Sequence, residues 1–431
     1  MRRFLFLGLA VLAFCDAGTA FASDQSKTQK ADPEIAASRR SSPDGQENPG
    51  RPFVFPKGVS MSNTKQKSVA AWEAFCDQLK QAGAVLVQDA TPADELVQAE
   101  GLRKLVRMIR MGFEASLEYG NTDFPEVYQL VTPTTVGEGE NADAHYHQAM
   151  LDGSKTYRIT GRRGEAPFIE FTVYAGKIGL DSGSAVVGAM TEAELKVDPD
   201  GGYELMLSPE PQPGNWIRTT PEATVLFIRQ YTHDWRKTKD ATFHIERVGA
   251  KGGRPPLTVE EVGRAMSRTS VYVARSVNIW KAIVDQRRAA PPNRFFVFEE
   301  EQKQKGEEEA PEMPVGHRFS SGYFRLAEDE ALVVTFKPAE VPYWGLAITN
   351  YWFEPVTYTQ HSSHYNNETA RYEADGSVRV VIAAKDPGVP NWIDTLGHLE
   401  GSMILRWSRT RLPVPDLQAQ VVKVSTLATA P

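Results

Sequence analysis

Asp200-Gly201-Gly202-Tyr203-Glu204-Leu205-Met206-Leu207, followed by Asn215-Trp216-Ile217-Arg218-Thr219, returns as Asp375-Gly376-Ser377-Val378-Arg379-Val380-Val381-Ile382 and then Asn391-Trp392-Ile393-Asp394-Thr395. The two copies differ in register by a single residue. Each leads into an apolar run that ends in arginine and an aromatic: Val225-Leu226-Phe227-Ile228-Arg229-Gln230-Tyr231 in the first, Met403-Ile404-Leu405-Arg406-Trp407 in the second. An Asp-Gly turn feeding an alternating or apolar run is a strand signal, and the same order of strands written twice predicts a duplicated β module. What both copies share, the Asn-Trp pair above all, is expected to hold a corner of the module. What only the second copy has is the better functional candidate.

Further short β-favouring runs flank each copy. They are Thr156 to Thr160 and Phe168 to Tyr174 in the first block, and Ala331 to Phe336 and Tyr343 to Thr349 in the second. Helical periodicity precedes them. One helix starts near Lys65 with Val69, Trp72, Phe75, Cys76, Leu79 and Ala82 on a common face. A second, from Pro92 to Tyr119, carries Leu102, Leu105, Val106, Ile109, Phe113 and Leu117 at three- and four-residue steps, with arginines opposite. A third begins at the capping box Thr258-Val259-Glu260-Glu261 and shows a stripe of Val262, Ala265, Met266, Thr269, Val273, Val277, Trp280 and Val284. The fold class is therefore α+β and β-dominated. Two related antiparallel β-sandwich modules, residues 121–250 and 315–425, are expected with a helical region at 63–120, a linking helix at 256–290 and an acidic loop at 298–314.

The chain of 431 residues opens with Met1-Arg2-Arg3, an apolar stretch from Phe4 to Phe14, and Thr19-Ala20-Phe21-Ala22. That reads as a signal peptide over 1–22, cleaved after Ala22, because the apolar run is too short to span a bilayer. Export to a bacterial periplasm or the medium is the expectation. Cys15 follows Phe14, where a lipoprotein signal wants a small residue, and Arg2-Arg3 matches a twin-arginine signal only in part. Residues 23–62, rich in Ser, Asp, Gln, Pro and Lys, read as a flexible leader. Cys76 is then the only cysteine of the mature chain, so stability must come from the core and not from a disulfide. A net charge of −7 lacks the basic footprint of a nucleic-acid binder. No later run is long enough for a transmembrane anchor, and the oligomeric state stays open.

The C-terminal block resembles the bacterial family known as domain of unknown function 1214. The likeness rests on Leu332-Val333-Val334-Thr335-Phe336 leading to Tyr343-Trp344-Gly345-Leu346-Ala347-Ile348, then Ala374-Asp375-Gly376-Ser377, then Asp386-Pro387-Gly388-Val389-Pro390-Asn391-Trp392-Ile393-Asp394-Thr395, and Ile404-Leu405-Arg406-Trp407. Lys155 to Gly164 is similar to the segment preceding this domain in longer members. The resemblance implies a jelly-roll-like sandwich and no agreed reaction.

Three constellations could carry chemistry. Asn391, Trp392, Asp394, His398, Glu400 and Arg406 form the densest polar-aromatic cluster. One helical turn would bring Asp394 and His398 together, a carboxylate orienting an imidazole for hydrolase or lyase chemistry. The plainer account has Trp392 filling the core, Asp394 capping a turn and His398 on the surface. His145 and His147 share one face of a strand, and His361 with His364 adds a second pair, so a divalent metal is a second reading, with Asp143 as a carboxylate ligand. Aromatic residues near loops, Trp344 and Trp352 among them beside Trp235 and Tyr358, suit a saccharide or another amphipathic ligand held also by Asn391, Trp392 and Arg406. Binding of such a small molecule, an enzyme using Asp394 and His398, and an envelope scaffold are the three functions in view.

Overall fold

The structure, a computed structural model, describes residues 62–181, 184–234, 237–298, 317–357, 359, 361–410 and 412–427. The signal peptide, the leader up to residue 61, nearly all of the acidic loop, Trp235 and Tyr358 lie outside them. Helix α1 (Asn63–Ala82) begins where the Ser62 hydroxyl accepts from the Lys65 N–H, and α2 (Glu95–Phe113) where Asp94 accepts from the Val97 N–H. Each cap satisfies an amide that the first helical turn leaves unbonded.

The first module contains β1 (Tyr128–Gln129), β2 (Ala144–Met150), β3 (Tyr157–Arg162), β4 (Phe168–Ala175), β5 (Ala185–Thr191), β6 (Gly202–Ser208), β7 (Asn215–Arg218), β8 (Ala223–Tyr231) and β9 (His244–Arg247). They form a five-stranded sheet in the order β1-β2-β8-β4-β5 facing a four-stranded one in the order β7-β6-β3-β9. Helix α3 (Val259–Ala289) follows, opened by the Thr258–Glu261 capping box. The second module repeats the pattern with β10 (Phe295–Phe298), β11 (His317–Arg325), β12 (Glu330–Phe336), β13 (Tyr343–Thr349), β14 (His364–Asn366), β15 (Val378–Ala383), β16 (Trp392–Asp394), β17 (Glu400–Ser408) and β18 (Gln418–Lys423). Its sheets run β10-β11-β17-β13-β14 and β16-β15-β12-β18. Strand for strand, the second order is the first shifted by nine.

The sheets are not wholly antiparallel. In each module the short Asn-Trp-Ile strand runs parallel to the strand before it, β7 on β6 and β16 on β15. The loop after the Asp-Gly hairpin strand carries the chain back before it pairs. Within a module alternate residues point inward: Leu226 and Ile228 of β8 pack with Ile159, Phe171 and Leu205, and Met403, Leu405 and Trp407 of β17 pack with Leu332, Trp344 and Val380. The opposite faces of the two five-stranded sheets bear Phe227 and Ile404, which join a third core with Tyr272, Val273, Val277 and Val284 of α3. Thus α3 lies across both modules and ties them together.

Helix α2 is rotated from the face its aliphatic spacing suggests. Leu102 and Val106 are exposed, while Val97, Gly101, Lys104, Met108 and Met111 form the buried line. The cause is Trp352, fully buried, whose Nε1 donates to the Val97 carbonyl at 2.7 Å and whose ring fills the notch at Gly101. Trp72 of α1, expected on the apolar face, is likewise exposed.

Candidate functional site

His398 lies in the turn between β16 and β17. That turn is not helical. Leu396 and Gly397 both adopt left-handed backbone, with φ of 51° and 82°, and the His398 N–H closes on the Thr395 carbonyl at 3.0 Å. Two successive left-handed residues make a tight turn, which glycine accommodates without steric cost. The imidazole therefore faces α2, where its Nε2 meets Glu100 Oε2 at 3.0 Å, while Nδ1 donates to the Thr395 carbonyl at 2.6 Å. A carbonyl only accepts, so Nδ1 holds a proton. With Glu100 ionised, Nε2 holds one too.

Electrostatics agree with that assignment. Burial pushes the imidazole down, yet the Glu100 hydrogen bond and charge, with the Thr395 carbonyl, bring it above its ordinary 6.5. Burial pushes the Glu100 carboxyl up, yet His398, Asn350 and Arg103 bring it below its ordinary 4.5. Arg103 extends the network, reaching Glu100 and Glu354 at 3.0 Å each, and Arg107 reaches the other Glu354 oxygen at 2.9 Å. Glu354 is fully buried and also accepts from the Asn350 side chain at 3.2 Å. It arrives on the loop after β13, whose Asn350 side chain accepts from the Trp352 and Glu354 N–H groups and so fixes the bend.

These residues line a cleft of about 190 Å³ between α2 and the second module, walled by Leu96, Pro133, Val136, Pro355, Val356 and Leu396. Three cations, Arg103, Arg107 and His398, meet two carboxylates, Glu100 and Glu354, leaving an excess of positive charge. Arg103 keeps half of its side chain exposed there. Among the described lining residues there is no tryptophan, tyrosine or phenylalanine. Beyond the Val136 wall, the buried Lys104 amine has no hydrogen-bond partner among the described residues, and burial holds its pKa down. Burial likewise raises Glu140 to about 7. A second, open depression of about 400 Å³ is lined by Glu165, His233, Asp234, Lys237, Thr238, Glu368 and Thr369.

The remaining candidates have separate surroundings. Asp394 is paired with His361 at 3.1 Å and accepts from the Leu396 N–H, so Asp394 and His398 have different partners. His145 binds Asp240 at 2.7 Å. His364 binds Asp143 at 2.9 Å, and the other Asp143 oxygen accepts from the Tyr343 hydroxyl at 2.8 Å. His147 is held by burial down to about 4, packed on Phe243. Among the described residues no three His, Cys, Asp or Glu side chains converge as a metal would require.

Asn391 accepts from the Arg371 N–H and donates to the Arg371 and Arg379 carbonyls. Asn215 does the same with Lys196 and Glu204. Trp392 and Trp216 donate to the carbonyls of Ala383 and Ser208, matching positions of β15 and β6. Trp344 lies in the core of the second module, and Arg406 donates to the Gly139 carbonyl at 2.5 Å.

The model of the family described as "Protein of unknown function (DUF1214)" matches residues 140–234 and 323–410. Both β modules match this family model. Each match covers the central strands of one module, β2 to β8 in the first and β12 to β17 in the second, so it falls on the duplicated part. A crystal structure of an uncharacterized protein from Burkholderia cenocepacia is similar to this chain, with 29% identity and a TM-score of 0.78 over 84% of this chain and 99% of that one. The VPA0106 protein from Vibrio parahaemolyticus is 11% identical with a TM-score of 0.42, over 74% and 96% of the two chains. No curated protein matches the sequence.

Sequence spacing alone points to Asp394 as the partner of His398 and overlooks Glu100, Arg103, Arg107, Asn350 and Glu354. One signal was available. Glu100, Arg103 and Arg107 recur at steps of three and four along α2, a polar stripe that reads as a solvated helix face.

Proposed function

We propose that this chain is an exported binding protein for a small amphipathic molecule bearing an acidic group, held in the cleft between α2 and the second module. The observation that carries the reading is the excess of cations at Arg103, Arg107 and His398 beside an aliphatic wall. A guanidinium offers five N–H donors in a planar fork that matches a carboxylate, and Arg103 uses one nitrogen on its two glutamates. The aliphatic lining suits a hydrocarbon portion better than a sugar face, which favours flat aromatic rings for stacking. His398 donates from both nitrogens while Glu100 is ionised, so it serves here as a fixed positive charge and not as a general base.

A thermal-shift screen of aliphatic and aromatic carboxylates, neutral saccharides and lipid fragments, repeated on Arg103→Ala/Arg107→Ala, tests the proposal. A carboxylate hit that weakens at least about tenfold in the double variant, the equivalent of about 1.4 kcal/mol, is expected. A flat screen, or a hit indifferent to the variant, would sink it. Export is tested separately by sequencing the N-terminus of the protein made in a bacterial host with its full leader. The mature chain should begin at Ser23 and leave the cytoplasm; retention of Met1 inside the cell would contradict this.

A further inference from the structure

Arg287 of α3 and Arg406 of β17 both border the contact between Phe353 and Gly139. The Arg406 guanidinium donates to the Gly139 carbonyl at 2.5 Å, and the Gly139 N–H donates to the Phe353 carbonyl at 3.0 Å. The Phe353 ring presses so close to Gly139 that an added methyl would stand 1.9 Å from it. Arg287 lies over the same ring, 4.7 Å from its centre, and Trp280 stacks on it at 5.6 Å. Neither arginine has an ion pair among the described residues. One Arg287 nitrogen, Nη1, is buried without a hydrogen-bond partner among the described residues, and so is Trp280 Nε1.

The acids nearby in the chain are engaged elsewhere. Glu140 accepts from the Gly137 and Glu138 N–H groups, Asp143 from Tyr343 and His364, and Glu400 from Arg288 and Arg325. Burial first, and then the Arg406 charge, lower Arg287 to about 10, which leaves it charged at neutral pH. A buried guanidinium at Arg406 and a half-buried one at Arg287 that repel one another are costly unless an opposite charge joins them.

We infer that Arg287 and Arg406 form an internal site for a small oxyanion, a carboxylate or phosphate group, with Phe353 as its apolar wall and Trp280 as a further donor. The planar forks of two arginines supply paired N–H groups to such an anion. The site shares no residue with the cleft between α2 and the second module, so the two readings stand or fall apart.

The test follows melting temperature at constant ionic strength while inorganic phosphate or octanoate is titrated into wild type, Arg287→Met and Arg103→Ala/Arg107→Ala. Wild type should be stabilised saturably, and Arg287→Met should lose at least about tenfold in apparent affinity for the stabilising anion. The cleft variant should keep the phosphate response. Tighter binding of phosphate would identify a phosphate group as the natural occupant, and tighter binding of octanoate a carboxylate. Without added anion Arg287→Met should melt no lower than wild type, because the uncompensated charge is gone. If that variant does not fold, Arg287→Lys, which keeps charge but loses the fork, carries the same comparison. No response of wild type to either anion, equal responses in wild type and variant, or a folded Arg287→Met that melts well below wild type without anion would overturn the inference.

Discussion

Asn391 and His398 belong to one β16–β17 corner and do different work. Asn391 ties three backbone groups, and Asn215 ties the corresponding three in the other module. Each such group left unmet in a buried place costs about 1–3 kcal/mol, which is why the Asn-Trp pair persists in both copies. His398 has no such twin; its partner is Glu100 of α2. Its contribution should depend on pH. The raised imidazole stabilises the fold fully below its ordinary 6.5, and that gain is lost as pH rises through the folded value. The lowered Glu100 carboxyl stabilises above its ordinary 4.5, and that gain is lost as pH falls through the folded value. The stability difference between wild type and His398→Gln should therefore peak between these ordinary values and shrink on both sides. Urea denaturation of both proteins from about pH 3 to about pH 9 measures it; a difference that stays flat would show that the ion pair does not tie α2 to the second module.

At the scale of elements, α2 explains both what was legible and what was not. Its existence follows from periodicity and the Asp94 cap, but its orientation follows from Trp352, a residue 255 positions from the Val97 carbonyl it binds. Lys104 lies buried on the line between Gly101 and Met108, and Glu100 is buried beside it, so charge pattern misleads about which face is inside. Leu102 and Val106, which look like core, face solvent. Gly101 gives the sharpest check. In an ordinary helix Gly→Ala stabilises by about 1 kcal/mol, but here the new methyl would stand 2.5 Å from the Trp352 ring and 2.4 Å from Leu86. Gly101→Ala should therefore lose about 1–3 kcal/mol in a denaturation experiment, as overpacking does. A gain would mean that α2 docks differently.

Across the whole molecule, the duplication was readable because turn and strand signals are local and occur twice in the same order. The cleft was not, since His398 and Glu100 are 298 residues apart and meet only when the helical layer folds back over the second module. The modules also diverge where they touch. Glu170 lies opposite Arg229 and binds it, whereas Gly345 lies opposite Arg406, and the space left by its missing side chain admits Tyr343 and Asp143. Two copies of one strand order thus form an asymmetric pair, and the cleft lies where α2, Pro133 and Val136 meet the loops of the second copy. A crystal structure of the protein with the tightest carboxylate from the thermal screen tests this account most directly. It should show the carboxylate within hydrogen-bond distance of Arg103 or Arg107, with the apolar part against Val136, Val356 and Leu396. Ligand density confined to the open depression at His233 and Lys237, with the cleft left as it is, would contradict it.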